Sequence, residues 1–212
     1  MKHKVDIFFD LDKTLFDSDA LVACIREDLE RFGKTREEIE RTSKQASAQG
    51  YSFEKHLRFL AFKQDFIRER SELYRALLSA GDQFLFPGVE DSMQRLSQLA
   101  TCHLLTFGLP RYQREKARGI VAFQGLFTTQ HFVWRERTKG DVLKQYGPQN
   151  AVYFVDDTPD HLVDARMKAP WVRCIRMAWP GKRFVAHQND GIDWPVVRSL
   201  ETIVKIIEGI TL

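Results

Sequence analysis

Val5-Asp6-Ile7-Phe8-Phe9-Asp10-Leu11-Asp12-Lys13-Thr14 is the stretch from which the fold is read. Val5–Phe9 is a short β-branched and aromatic run bounded by charge, which suits a strand buried on both faces of a parallel sheet. Residues 103–106, 151–155 and 171–175 have the same character, and 130–133 is a weaker copy. Helical patterns separate them: Val89, Met93, Leu96 and Leu99 at helical spacing, a polar helix after Pro110, and a short one over 138–146. Strand and helix alternate, so the core is expected to be α/β with right-handed crossovers.

One segment breaks the alternation. Residues 18–80 contain no strand signal but four helical periodicities. Leu21, Ile25, Leu29 and Phe32 form the first apolar stripe, and Phe53, Leu57, Leu60 and Ala61 the third. The second helix starts with a capping box from Thr35 to Glu38 and carries little apolar surface beyond Ile39, Ala46 and Ala48, so it is expected to be exposed. The fourth uses Phe66, Arg70, Leu73 and Leu77 and ends at Gly81, read as a left-handed C-cap. Phe86-Pro87-Gly88-Val89 is read as a hinge back into the core. The expected organisation is a discontinuous α/β core over 1–16 and 82–212, interrupted by an α-helical domain over 17–81.

With 212 residues, 43% of them hydrophobic, the chain can bury a substantial core without disulfides. Its net charge of +3 is too small to mark a dedicated nucleic-acid or membrane-surface binder. Cys24, Cys102 and Cys174 are widely spaced among apolar residues and read as reduced, buried thiols, with the cytoplasm as the default compartment. No stretch approaches the ~20 apolar residues of a membrane span, and the first residues do not form a signal peptide.

The chemistry collects at strand ends. Asp10 and Asp12 stand at positions i and i+2 at the end of the first strand, so they share a face. Thr106 ends the second strong strand, and Asp156-Asp157 end a later one. In an open α/β sheet the ligand site lies outside the carboxyl ends of the strands, near the point where strand order reverses. All these candidates therefore fall on one edge.

In order, FFDLDKTLFDSD, LLTFG, Lys139 in RTKGDVL, and VYFVDDTPD resemble the four motifs of the haloacid dehalogenase superfamily. The likeness spans nearly the whole chain. It implies a Rossmann-like three-layer α/β/α core with a mainly parallel sheet, and a helical cap inserted between motifs one and two. It further implies that Asp10 is a nucleophile forming an aspartyl-phosphate and that Asp12 is the general acid and base. Members acting on carbon–halogen bonds generally lack this second acid, so its presence favours phosphoryl transfer. Mg²⁺ is the implied cofactor, held by the Asp10 carboxylate, the Asp12 carbonyl and the Asp157 carboxylate, with Asp156 a further ligand or an acceptor for the metal's waters. Leu11, Thr106, Phe107 and Lys139 are expected around the substrate phosphate, with Asp160 a candidate to hold Lys139. Lys13, Phe107 and Gly140 depart from the common pattern, which leaves contacts near Phe107 unspecified. The implied activity is that of a Mg²⁺-dependent phosphatase of small phosphorylated metabolites.

Other readings of the same residues stand beside these. The first motif alone is compatible with an Asp-rich turn, Thr158 or Asp157 with a helix cap, and Thr106 with a buried, satisfied hydroxyl. Lys139 competes with a surface lysine, and Lys144 lies five residues on. The run from Arg111 to Arg118 reads as the solvated face of a helix, although its place after motif two keeps substrate contact open. His3, His56, His103, His131, His161 and His187 lack metal-ligand spacing, and His161 alone falls beside the acidic motif. Phe53, Phe59, Phe62, Phe66 and Tyr74 are expected to form the cap's own small core. A loop over 177–183 and a closing helix carrying Leu200, Ile203, Val204 and Ile207 show no chemical motif. A phosphotransferase or mutase, and a non-catalytic module binding a phosphorylated ligand, are the rival functions.

Overall fold

The structure is a computed structural model describing residues 5–181 and 194–209. Its sheet has six strands, all parallel, in the order β3-β2-β1-β4-β5-β6. These are β1 (Val5–Phe9), β2 (Thr101–Phe107), β3 (Thr129–Val133), β4 (Ala151–Asp156), β5 (Arg173–Met177) and β6 (Val196–Val197). The topology is Rossmann-like, with β1 central and the chain leaving it towards β2 on one side and β4 on the other. The strand expected over 171–175 begins two residues later. Trp171 is 37% exposed and its indole N–H donates to the Tyr146 carbonyl at 2.7 Å, so it sits in the preceding turn.

β1 shows why its run is unbroken. Ile7 and Phe9 point into one core with Leu104, Val155 and Ile175, while Phe8 points into a second with Leu105, Val152 and Phe154. All three β1 side chains are fully buried. The first core is covered by α5 (Val89–Leu99) and α9 (Leu200–Ile207), the second by α7 (Lys139–Leu143) and α8 (Pro159–Lys168). The remaining helix of this part, α6 (Pro110–Arg118), follows β2.

Four helices fall between β1 and α5: α1 (Ser18–Arg31), α2 (Arg36–Ala48), α3 (Phe53–Phe59) and α4 (Gln64–Ser79). Thr35 and Glu38 form the expected capping box, and α2 buries Ile39, Thr42 and Ala46 while leaving Ala48 exposed. The core of this segment is not separate. Leu21, Ile25, Leu29, Phe53, Leu57 and Tyr74 belong to the same buried cluster as Ile7 and Phe9. Phe59 is partly exposed, and Phe62 and Phe66 stack on each other at its margin. The buried row of α4 is Ile67, Ser71, Tyr74 and Leu78, one residue on from the expected stripe, and Leu73 faces out. Helix α4 ends at Ala80, and Gly81 instead opens a short 3-10 turn, its N–H donating to the Gly119 carbonyl at 2.9 Å.

The chain enters and leaves this segment side by side. Asp17 N donates to Phe84 O at 2.7 Å, Phe86 N donates to Leu15 O at 3.2 Å, and Phe16 pairs antiparallel with Leu85. The Trp179 ring stacks on Phe86, and its indole N–H donates to the Thr14 carbonyl. Cys102 and Cys174 are buried, but Cys24 is exposed, because it lies off the α1 stripe of Leu21, Ile25 and Leu29. His3, Lys182, Arg183 and His187 lie outside the described residues. Among the described residues no helix is long and apolar enough to cross a membrane.

Candidate active site

Asp10 extends β1 by one residue: its N–H donates to Val155 O at 2.9 Å, which fixes the carboxylate at the sheet edge. Lys139, the first residue of α7, is 1% exposed and reaches across that edge. Its Nζ donates to Asp10 Oδ1 at 2.5 Å and to Asp156 Oδ2 at 2.6 Å. Lys144 is half exposed and pairs with Asp141. The holding role expected of Asp160 thus falls to Asp156, the last residue of β4. His161 Nδ1 lies 3.2 Å from the same Asp156 oxygen.

Burial sets the electrostatics here. It opposes charge on Lys139, but Asp10 and Asp156 outweigh it and keep the ammonium protonated. Burial raises the Asp10 carboxyl well above the ordinary range despite Lys139, with Asp156 and Asp157 adding to the rise. At Asp156 burial is overcome by Lys139 and His161, and its carboxyl sits below the usual value. Asp157 is pushed up to about 6 by burial and by the Asp156 charge. One carboxylate oxygen each from Asp10, Asp156 and Asp157 lie within 4.8 Å of one another. Three crowded hard oxygen donors, two with ionisation disfavoured by their surroundings, fit a small divalent cation.

Thr106 is fully buried in β2, and its hydroxyl has no hydrogen-bond partner. Leu11 is also fully buried, so only its backbone is available to a phosphate. Lys13 has φ +60, in the left-handed region that favours glycine, and donates its N–H to Phe16 O at 2.7 Å. Phe107 ends β2, 38% exposed, and its ring lies near Trp134 and His161. Thr158 stands at the N-cap of α8 with no side-chain cap bond, and its N–H donates to Asp156 Oδ1.

Asp12 meets partners that the sequence reading did not provide. Its carboxylate accepts from Lys116 Nζ at 2.5 Å, from Gln113 Nε2 at 2.8 Å, and from the Ser18 hydroxyl. Burial opposes ionisation, but Lys116, Ser18 and Gln113 outweigh it and hold the carboxyl below its ordinary value. Lys116 and Gln113 are 3% and 5% exposed, so the run from Arg111 to Arg118 is not simply a solvated face. A signal was available. Helix α6 turns only Tyr112 and Ala117 inward as apolar residues, so a helix packed on the sheet must bury Gln113 and Lys116 with them.

Comparison with solved structures supplies the fold's relatives. A haloacid dehalogenase-like hydrolase from Burkholderia xenovorans superposes with a TM-score of 0.69 at 17% identity, covering 99% of each chain. The fold is that of the haloacid dehalogenase-like hydrolases. The magnesium-bound HAD-hydrolase YfnB from Bacillus subtilis gives 0.65 at 18% identity, over 98% of this chain and 99% of its own. The L-2-haloacid dehalogenase of Xanthobacter autotrophicus, with chloropropionic acid covalently bound, gives 0.66 at 13% over the whole of both chains. No family model matches the chain, and no curated protein matches it. Within the haloacid dehalogenase-like fold, Asp10, Thr106, Lys139 and Asp156-Asp157 stand together at the carboxyl edge of the sheet, and Asp12 faces Lys116 beside them.

Proposed function

We propose that the protein is a cytoplasmic, Mg²⁺-dependent phosphohydrolase that acts on a small phosphorylated metabolite through an aspartyl-phosphate. The observation that carries this reading is the convergence of Asp10, Asp156 and Asp157 within 4.8 Å, with Lys139 bridging the first two. Carbon–halogen displacement needs no such acidic trio, whereas bringing a phosphate dianion to an aspartate requires compensating positive charge. Asp10, Asp156 and Asp157, with the Asp12 carbonyl, would hold Mg²⁺. When bound, the ion would supply positive charge to offset that of the phosphate.

The chain's own groups divide the remaining work. Asp10 attacks phosphorus as the ester oxygen departs, and the phosphoryl group is then carried on its carboxylate. Lys139 balances charge on Asp10 and on the transferring oxygens. The Thr106 hydroxyl, without a protein partner, donates to a phosphate oxygen. Asp12 protonates the leaving oxygen and afterwards takes a proton from the attacking water, which releases phosphate and restores Asp10. To act as the acid Asp12 has to carry a proton, which the hydrogen bonds from Lys116, Gln113 and Ser18 oppose and which the negative charge of a bound phosphate favours. The proton it takes from the attacking water in one turnover is the one it gives to the leaving oxygen in the next.

Release of inorganic phosphate from a panel of phosphate monoesters and acetyl phosphate tests this, in Mg²⁺ and in EDTA. Turnover in Mg²⁺, abolished by EDTA and reduced at least ~10³-fold in a folded Asp10→Asn variant, is expected. Metal-independent release, or full activity in Asp10→Asn, overturns the reading.

A further inference from the structure

A cavity of about 330 Å³ opens at Asp12, between α1 and α2 on one side and the chain following β2 on the other. If Asp12 protonates the leaving oxygen, the leaving group occupies the space that begins there, so this inference rests on the phosphohydrolase reading. The volume lies at the small end of ligand sites and suits one ring system.

Its walls are apolar and aromatic. Leu21, Val22 and Ile25 face it from α1, and Phe107, Tyr112 and Trp134 from the core. Phe107 and Trp134 lie with ring centroids 5.2 Å apart. A β-carbon built on Gly50 lies 3.3 Å from Leu109 Cδ1 and 3.4 Å from Trp134 Cζ2, so the chain after α2 seats against the indole and confines it. Such surfaces pack against a flat ring.

The polar groups narrow the choice further. Gln113 is almost fully buried, and its amide nitrogen donates to Asp12 and to the Phe107 carbonyl at 3.1 Å. These two acceptors fix the amide orientation and leave Gln113 Oε1 as a buried acceptor with no partner. A ligand N–H or O–H would satisfy it. Among the described residues that line the pocket Lys116 is the one cation, and its ammonium is bonded to Asp12 rather than directed at the open space. Ser43 and Ser47 add two hydroxyls from α2.

We infer that the pocket takes a leaving group built on one aromatic or heteroaromatic ring bearing a hydrogen-bond donor. The substrate is then a ring-bearing alcohol phosphate, in preference to a sugar phosphate or a phosphorylated acid.

The test compares kcat/KM for pyridoxamine 5′-phosphate, uridine 5′-monophosphate and benzyl phosphate with that for ribose 5-phosphate, glucose 6-phosphate and phosphoglycolate. Acetyl phosphate, whose leaving group needs neither a pocket nor a proton donor, is the reference. The ring esters should exceed the others at least ten-fold, with benzyl phosphate, which lacks the donor, the weakest of the three. Trp134→Ala should lower the ratio of ring-ester to acetyl phosphate kcat/KM ten-fold or more. Val22→Glu, at a half-exposed wall position that tolerates replacement, should lower it in the same direction. Equal or better turnover of sugar phosphates or phosphoglycolate, or a ratio unmoved in both variants, overturns the inference. Acetyl phosphate turnover without any ring-ester turnover overturns the pocket assignment alone, whereas no turnover of any compound overturns the phosphohydrolase reading with it.

Discussion

Thr106 has no solvent exposure, and its hydroxyl meets no protein group. An unsatisfied buried hydroxyl costs about 1–3 kcal/mol, and valine replaces it with a methyl of similar shape. Thr106→Val should therefore raise unfolding free energy by about 1 kcal/mol in urea titration while lowering phosphate release by roughly 10²-fold. Lower stability with unchanged turnover would mark the hydroxyl as structural. Asp157 carries a comparable conflict. Its folded carboxyl is pushed up to about 6 by burial and by Asp156, while an unfolded one ionises near 3.8. Its contribution to stability is thus present below the unfolded value and lost as pH rises through about 6. In EDTA, Asp157→Asn should melt above the parent at pH 8, and the gap should shrink as pH falls from 6 towards 4. A gap independent of pH would refute this. The acids and Thr106 were legible because strand ends announce themselves in sequence. Lys116 and Gln113 were signalled only by the scarcity of apolar residues in α6, since a buried polar face otherwise looks like a solvated one until the packing is known.

Helix α6 meets α4 through a glycine. A β-carbon built on Gly119 would lie 1.7 Å from the Leu78 carbonyl oxygen, a backbone atom that cannot swing aside. Gly119 also accepts the Gly81 N–H, so the end of α4 and the end of α6 are seated on each other. Gly119→Ala should destabilise by about 1–3 kcal/mol or more, read as a lower urea midpoint with an unchanged slope. A shift within about 0.5 kcal/mol would show that the two helices separate freely. The same region shows where periodicity misleads. The α4 stripe was read one residue out of register because Ser71 sits in the buried row, where an apolar residue would have disclosed it. Strand β6 has only two residues and carries no pattern of its own.

Across the whole molecule, the alternation of strand and helix foretold a parallel α/β sheet. β1 is buried on both faces and flanked by the two strands that carry Thr106 and Asp156, so the reversal of strand order and the acidic edge coincide. The continuity of the core between the helical segment and the sheet was not legible. Stripes on separate helices do not say whether they face one another or a neighbouring layer.

The antiparallel bridge of Phe16 with Leu85 brings the two ends of a long detour side by side. A detour whose ends already touch can be lengthened, shortened or exchanged without altering the distance the rest of the chain must span. About half of the residues lining the cavity at Asp12 lie on that detour, whereas Asp10, Thr106, Lys139, Asp156 and Asp157 lie off it. On the proposed function, selectivity and reactivity would reside in different lengths of the same polypeptide, and the former could drift through insertion and replacement while the latter stays in place.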